Sequence, residues 1–166
     1  MLRSQSSFPH ETRDVQGTGE DIAEAVADSA RYDVFSLVDA ALAGDGVRTV
    51  RMFQGLRGEG TPSAVVLWAL AKEVRQLAAM ARLVAAGQAV PKVLAQYRVW
   101  QNRKAVVGRA LQRLARRDGD AARLLRRCAL VDRVIKGQAA GNEWDELLQL
   151  LLQLAGLKGV PAGQLT

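Results

Sequence analysis

The run Tyr97-Arg98-Val99-Trp100-Gln101-Asn102-Arg103-Lys104 gathers the side chains of this sequence best equipped for a chemical task. An indole face stacks on a nucleobase, flanking cations neutralise phosphates, and side-chain amides donate to phosphate or sugar oxygens. The run therefore predicts a nucleic-acid contact with Arg98, Trp100, Gln101, Asn102, Arg103 and Lys104 as its candidates. The competing expectation is that Trp100 packs between helices while the polar residues face water, because large aromatics are mostly buried. The charge around the run is one-sided. Residues 98–136 hold twelve Lys/Arg against Asp118, Asp120 and Asp132, a local net of +9 in a chain whose whole net charge is +6. Such a region suits a polyanion or an acidic protein partner, since it raises local counter-ion concentration and steers association. Solvated outer faces of amphipathic helices would carry the same composition.

Other chemistry lacks its parts. There is no Gly-rich phosphate loop ending in Lys-Ser/Thr and no dinucleotide fingerprint behind a strand. The single histidine, His10, lies in a segment without apolar period, which removes histidine triads and helical zinc motifs. Cys128 sits on an apolar stripe with no base near it in sequence and is expected to pack as a small hydrophobe; one cysteine allows no intramolecular disulfide. Asp145 and Glu146 fall at a helix start, where carboxylates favour the macrodipole. No catalytic residue, cofactor or metal ligand is expected. The longest apolar run, residues 64–71, is too short to span a bilayer, and no basic segment followed by an apolar one opens the chain. A cytoplasmic protein without membrane contact is the expectation.

The elements that must position these residues read as helices almost throughout. Residues 1–17 have no sustained apolar period and are expected to be a flexible arm or a stretch left by cloning. Thr18 with Asp21 resembles a helix start, and Asp33 can cap a second helix that ends at Gly44. A helix over about 47–56 follows. Thr61 then serves as N-cap with Pro62 at the first helical position of a long helix over about 62–86, whose Leu67, Leu70, Val74, Leu77, Ala81 and Val84 form a core stripe. A short helix from Pro91 leads to the Trp100 run. Val107, Leu111 and Leu114 then face inward, with Arg109, Arg113 and Arg116 opposite. Asp118 can cap the next helix, which buries Leu124, Cys128, Val131 and Ile135, and Asn142 caps a last, Leu-rich one reaching Ala155. Leu147, Leu148, Leu150, Leu151, Leu152 and Leu154 point in several directions. That pattern predicts a central bundle helix, a subunit contact through Leu150 and Leu152, or both. The expected fold is all-α, a helical bundle of about six or seven helices.

Five strings carry a resemblance in chain order: AVADSARYDVFSLVDAALAGD from Ala25, LRGEGTPSAVVLWALAKEVRQL from Leu56, YRVWQNRK from Tyr97, ALVDRVIKG from Ala129 and NEWDELLQLLLQL from Asn142. Over about residues 20–156 the chain resembles the second half of bacterial DNA polymerase III delta subunits, and RVWQNR with its spacing to W-x-x-L is the most specific part. The resemblance implies that residues 18–31 end an AAA+-like lid domain and that residues 32–166 form a helical collar domain. In the family that domain packs against gamma/tau and delta-prime subunits in a five-membered ring. It also implies that Trp100 and its basic neighbours lie near primer-template DNA. ATP hydrolysis belongs to gamma/tau, and the sliding clamp is reached only through an N-terminal domain that this chain lacks. The loop 136–142 has Ala139 and Ala140 with Gly137 and Gly141 where relatives can carry an aromatic, so no base-stacking side chain is assigned there. From another class, an independent helical nucleic-acid-binding protein would use the same basic region to bind DNA unaided.

Overall fold

The structure, a computed structural model, describes residues 14–158. Seven α-helices follow in order: α1 (Asp14–Leu42), α2 (Gly46–Gly58), α3 (Ser63–Ala85), α4 (Val90–Gln96), α5 (Lys104–Ala115), α6 (Asp120–Ile135) and α7 (Glu143–Leu154). A three-residue 3-10 turn, Gln101–Arg103, precedes α5, and no strand occurs among the described residues. The expected all-α bundle is what forms. No helix among these residues is long and apolar enough to cross a membrane.

The largest departure is α1. Asp33 caps nothing, because the helix runs unbroken through it. No proline or glycine interrupts residues 20–43, and an aspartate inside an exposed helix costs only a few tenths of a kcal/mol relative to better formers. Of the arm expected over residues 1–17, residues 1–13 lie outside the described residues, while 14–17 begin α1. The helix changes character midway. Ile22, Val26 and Tyr32 are exposed, whereas Val34, Leu37, Val38 and Ala41 enter the core at the spacing of one helical face. Gly44 stops α1 with φ 76°, which lets the amides of Gly44 and Asp45 return to the carbonyls of Ala41 and Ala40.

Caps set the remaining boundaries. The Asp45 carboxylate accepts from the Arg48 amide at 3.0 Å to start α2. Asn142 Oδ1 accepts from the amides of Trp144 and Asp145 at 3.0 and 3.2 Å to start α7, as its residue type predicts. At α3 the N-cap is Pro62 rather than Thr61, a one-residue shift. Asp118 does not cap α6. Gly119 occupies that position at φ 87°, and Asp120 in the first turn instead accepts from Arg123.

The core is shared by every helix, and α3 packs against α1, α4, α5, α6 and α7. Its face Val66, Leu70, Val74 and Leu77 is fully buried. Helix α7 inserts between α1, α2, α3 and α6, and all six of its leucines from Leu147 to Leu154 are buried. Leu150 and Leu152, expected as subunit contacts, are 0% and 5% exposed within this chain. The several apolar directions of α7 are therefore consumed by intrachain neighbours, and the bundle itself is the reason for the leucine excess.

Candidate nucleic-acid interface

The Trp100 segment is built by a strained turn. Helix α4 is short and ends at Tyr97, after which Arg98 adopts φ 52°, the one left-handed non-glycine residue among those described. An arginine there costs on the order of 1 kcal/mol relative to glycine. The turn is held by the Arg98 amide donating to Ala95 O and the Val99 amide donating to Leu94 O, both at 3.0 Å. This pairing closes α4 and tucks Val99 against the core, so the next residue is thrown outward.

Trp100 is 75% exposed. That number rules out packing between helices as the use of this indole within the chain. Its carbonyl accepts from the Arg103 amide at 2.9 Å, which winds the 3-10 turn, and Gln101 and Asn102 stand exposed on that turn. Arg98 is exposed and Lys104 half-buried at the start of α5. Trp100, Arg98, Gln101, Asn102 and Lys104 thus lie together in the junction between α4 and α5.

Arg103 belongs elsewhere. Its Nε and Nη2 donate to Asp39 Oδ1 at 3.0 and 2.7 Å, and Nη2 lies 3.3 Å from Glu73 Oε1. Burial disfavours the charged guanidinium, but Glu73 and then Asp39 outweigh it and raise the Arg103 pKa above its ordinary value. Glu73 is itself only 9% exposed. Arg103 therefore pins the 3-10 turn to α1 and α3 and holds the Trp100 edge in place, with its forks already occupied. Sequence reasoning placed Arg103 among the outward cations because neither Asp39 nor Glu73 is near it in the chain.

The other basic residues divide in the same way. Arg123, Arg127 and Lys136 hold Asp120, Glu146 and Asp132. Arg113 Nη2 donates to Leu42 O at 2.8 Å and Leu154 O at 3.3 Å, the final carbonyls of α1 and α7. There its charge meets the negative ends of two helices. Arg98, Lys104, Arg109, Arg116, Arg117, Arg126 and Arg133 have no carboxylate within 4 Å among the described residues. The regional excess of charge is thus carried by roughly half of its residues.

Cys128 is buried on α6, as its stripe predicts. Burial pushes its thiol up to about 11 from 9.0, with Arg75 opposing. The folded pKa lies above the unfolded one, so the contribution of the neutral thiol to stability is complete below about pH 9. It is lost as pH rises from 9 through 11. In the folded chain at pH 8, Cys128 is expected to react with iodoacetamide at least tenfold more slowly than in urea-unfolded chain, measured by mass spectrometry. Equal rates would place the thiol at the surface.

Among the described residues no group of three or more His, Cys, Asp or Glu is arranged to hold a metal. What the edge offers is an exposed indole, donor amides and cations. Residues 34–159 match the family described as the processivity clamp loader gamma complex DNA pol III C-term. The match begins at Val34, the residue where α1 first becomes buried. Over 131 residues the chain is 34% identical to the DNA polymerase III subunit delta of Escherichia coli (strain K12), which covers 78% of this chain and 38% of that protein. The chain belongs to the family of the C-terminal region of the DNA polymerase III delta subunit, a component of the clamp loader.

Proposed function

We propose that this chain is the collar-forming part of a delta subunit, which assembles with gamma/tau and delta-prime subunits and lays its Trp100 edge against primer-template DNA. The observation that carries the DNA contact is Trp100, an exposed indole flanked by Arg98, Gln101, Asn102 and Lys104. Residues 32–166 act as the collar domain. Residues 18–31, within α1, are the end of a preceding AAA+-like lid domain, to which the exposed Ile22 and Val26 would offer apolar contact. ATP hydrolysis is left to gamma/tau, and any contact with the sliding clamp to an N-terminal domain of the complete subunit. Within this reading Arg103 is a positioning residue, and the buried Leu150 and Leu152 hold the bundle.

The test is Trp100→Ala in a loader reconstituted with gamma/tau and delta-prime. Loss of a base stack is expected to weaken junction-DNA binding by about 1 to 3 kcal/mol, roughly five- to 150-fold, with the salt slope unchanged. The melting temperature should stay within about 2 °C, because an exposed side chain away from the core contributes within about 0.5 kcal/mol. Parent-like affinity would refute the stacking role. Failure of the chain to be retained by gamma/tau and delta-prime, together with unaided DNA binding, would favour an independent nucleic-acid-binding protein.

A further inference from the structure

Helices α5 and α6 meet the end of α7 at a cleft remote from Trp100. The turn of residues 116–119 reverses the chain between α5 and α6, and residues 156–158 run along the opposite wall. The cavity between them has a volume of about 510 Å³. Arg113, Arg116, Arg117, Arg123 and Lys158 line it, against a single carboxylate, Asp120. That carboxylate is already neutralised by Arg123 Nη2 at 2.7 Å. Arg113 is engaged by the carbonyls of Leu42 and Leu154, and Gly156 leaves it room: a Cβ there would stand 3.2 Å from Arg113 Cδ and Nε. Arg116, Arg117 and Lys158 remain, all exposed and without a carboxylate within 4 Å among the described residues.

The positive charge of the cleft exceeds what its one carboxylate offsets. Burial, and then the charge of Arg109, lower the Arg113 pKa. Two adjacent arginines at one helix end repel, and holding them there without a partner favours an anion that bridges them. Guanidinium forks match phosphate oxygens in pairs. An acidic helix would fit the charge too, but it docks by apolar anchors, and the floor offers few. Leu124 and Leu154 are buried, which leaves the half-buried Leu114 and Leu157, at 42% exposure, as the two leucines that present apolar surface to the cleft.

We infer that this cleft binds the phosphodiester backbone of a nucleic acid through Arg116, Arg117 and Lys158, as an anchor separate from the Trp100 edge. Along α5, Lys104 and Arg116 lie about 18 Å apart at 1.5 Å per residue. That distance corresponds to about five base steps of duplex, with exposed Arg109 between them. The cleft shares with the Trp100 edge only its class of ligand. It recognises charge without stacking, so it does not discriminate sequence.

The experiment uses the whole chain and a fluorescein-labelled 20-nucleotide oligo-dT, titrated by anisotropy between 50 and 200 mM salt. The double variant Arg116→Gln/Arg117→Gln is expected to flatten the slope of log K against log salt by about 1.4, at about 0.7 per phosphate on single strands. Affinity at 50 mM salt should fall roughly tenfold or more. Arg116→Lys/Arg117→Lys, which keeps the charge, should hold the slope, and both variants should melt within about 2 °C of the parent because the side chains are exposed. Trp100→Ala should weaken binding without flattening the slope, so loss of one effect and not the other tells which site is misassigned. A parent-like slope in the glutamine variant, or no oligo-dT binding by the parent, overturns the inference. So does an acidic helical peptide that binds the parent more tightly than oligo-dT and loses binding in the glutamine variant, since the cleft is then a protein site.

Discussion

Leu150→Asp is expected to leave the chain unfolded at 25 °C. Leu150 is fully buried on α7, among the core side chains of the bundle. Removing the leucine side chain alone costs about 2 to 5 kcal/mol. Placing a carboxylate there adds several kcal/mol, because no cation is positioned to pair with it and an unpaired charge is poorly solvated in an apolar interior. The sum rivals the whole stability of a typical domain, about 5 to 15 kcal/mol. Leu150→Ala separates the two contributions: it should remain folded, with a melting temperature lower by roughly 4 to 20 °C, at about 2 to 4 °C per kcal/mol. Circular dichroism melts of both variants check this. A folded Leu150→Asp chain that melts within a few degrees of the parent would mean that α7 is displaced from the core, and would return Leu150 to the list of subunit contacts.

The second large effect is expected at Arg103. Truncation to alanine removes a guanidinium that serves Asp39 and Glu73 together, and leaves the nearly buried Glu73 carboxylate without its cation. Breaking a fully buried pair costs about 3 to 5 kcal/mol. Asp39 and Arg103 are partly exposed here, so solvent screening reduces the expectation to about 2 to 3 kcal/mol. The melting temperature should drop by roughly 4 to 12 °C. Adding Glu73→Gln to Arg103→Ala should recover part of the loss, since an unpaired amide is less costly to bury than an unpaired carboxylate. Arg103→Lys should recover less than half, because an ammonium cannot reproduce the fork that reaches both acids. The positioning role has its own signature: in Arg103→Ala, oligo-dT affinity should fall without the drop in salt slope that a lost phosphate contact produces. An unchanged melting temperature with a slope reduced by about 0.7 would instead make Arg103 a direct contact.

Most of the architecture was legible in the residues because it depends on local chemistry. Asn142 declares a helix start by its short acceptor side chain, Gly44 a helix end by its tolerance of positive φ, and the Leu67, Leu70, Val74 and Leu77 stripe a buried face by period alone. The Trp100 run could be singled out as a candidate for the same reason, since its residue types are those that stack and neutralise. The run of residues through Asp33 was less legible. A good cap residue does not end a helix when the chain before and after it is also helix-forming, and only the onset of burial at Val34 marks where α1 joins the bundle.

Three decisions belonged to the tertiary structure. Whether Trp100 points into the core or out of it depended on the left-handed turn at Arg98, which no propensity favours for an arginine. Whether Arg103 faces solvent or an acid depended on two carboxylates, 64 and 30 positions away in the chain, that meet only after α1 and α3 pack. Whether the leucines of α7 seek a neighbouring subunit or their own core depended on how many helices surround them. Period and composition describe one element at a time. Charge pairing and burial are properties of several elements together, and so the same arginine or leucine reads alike in sequence whether the fold spends it inside or leaves it free.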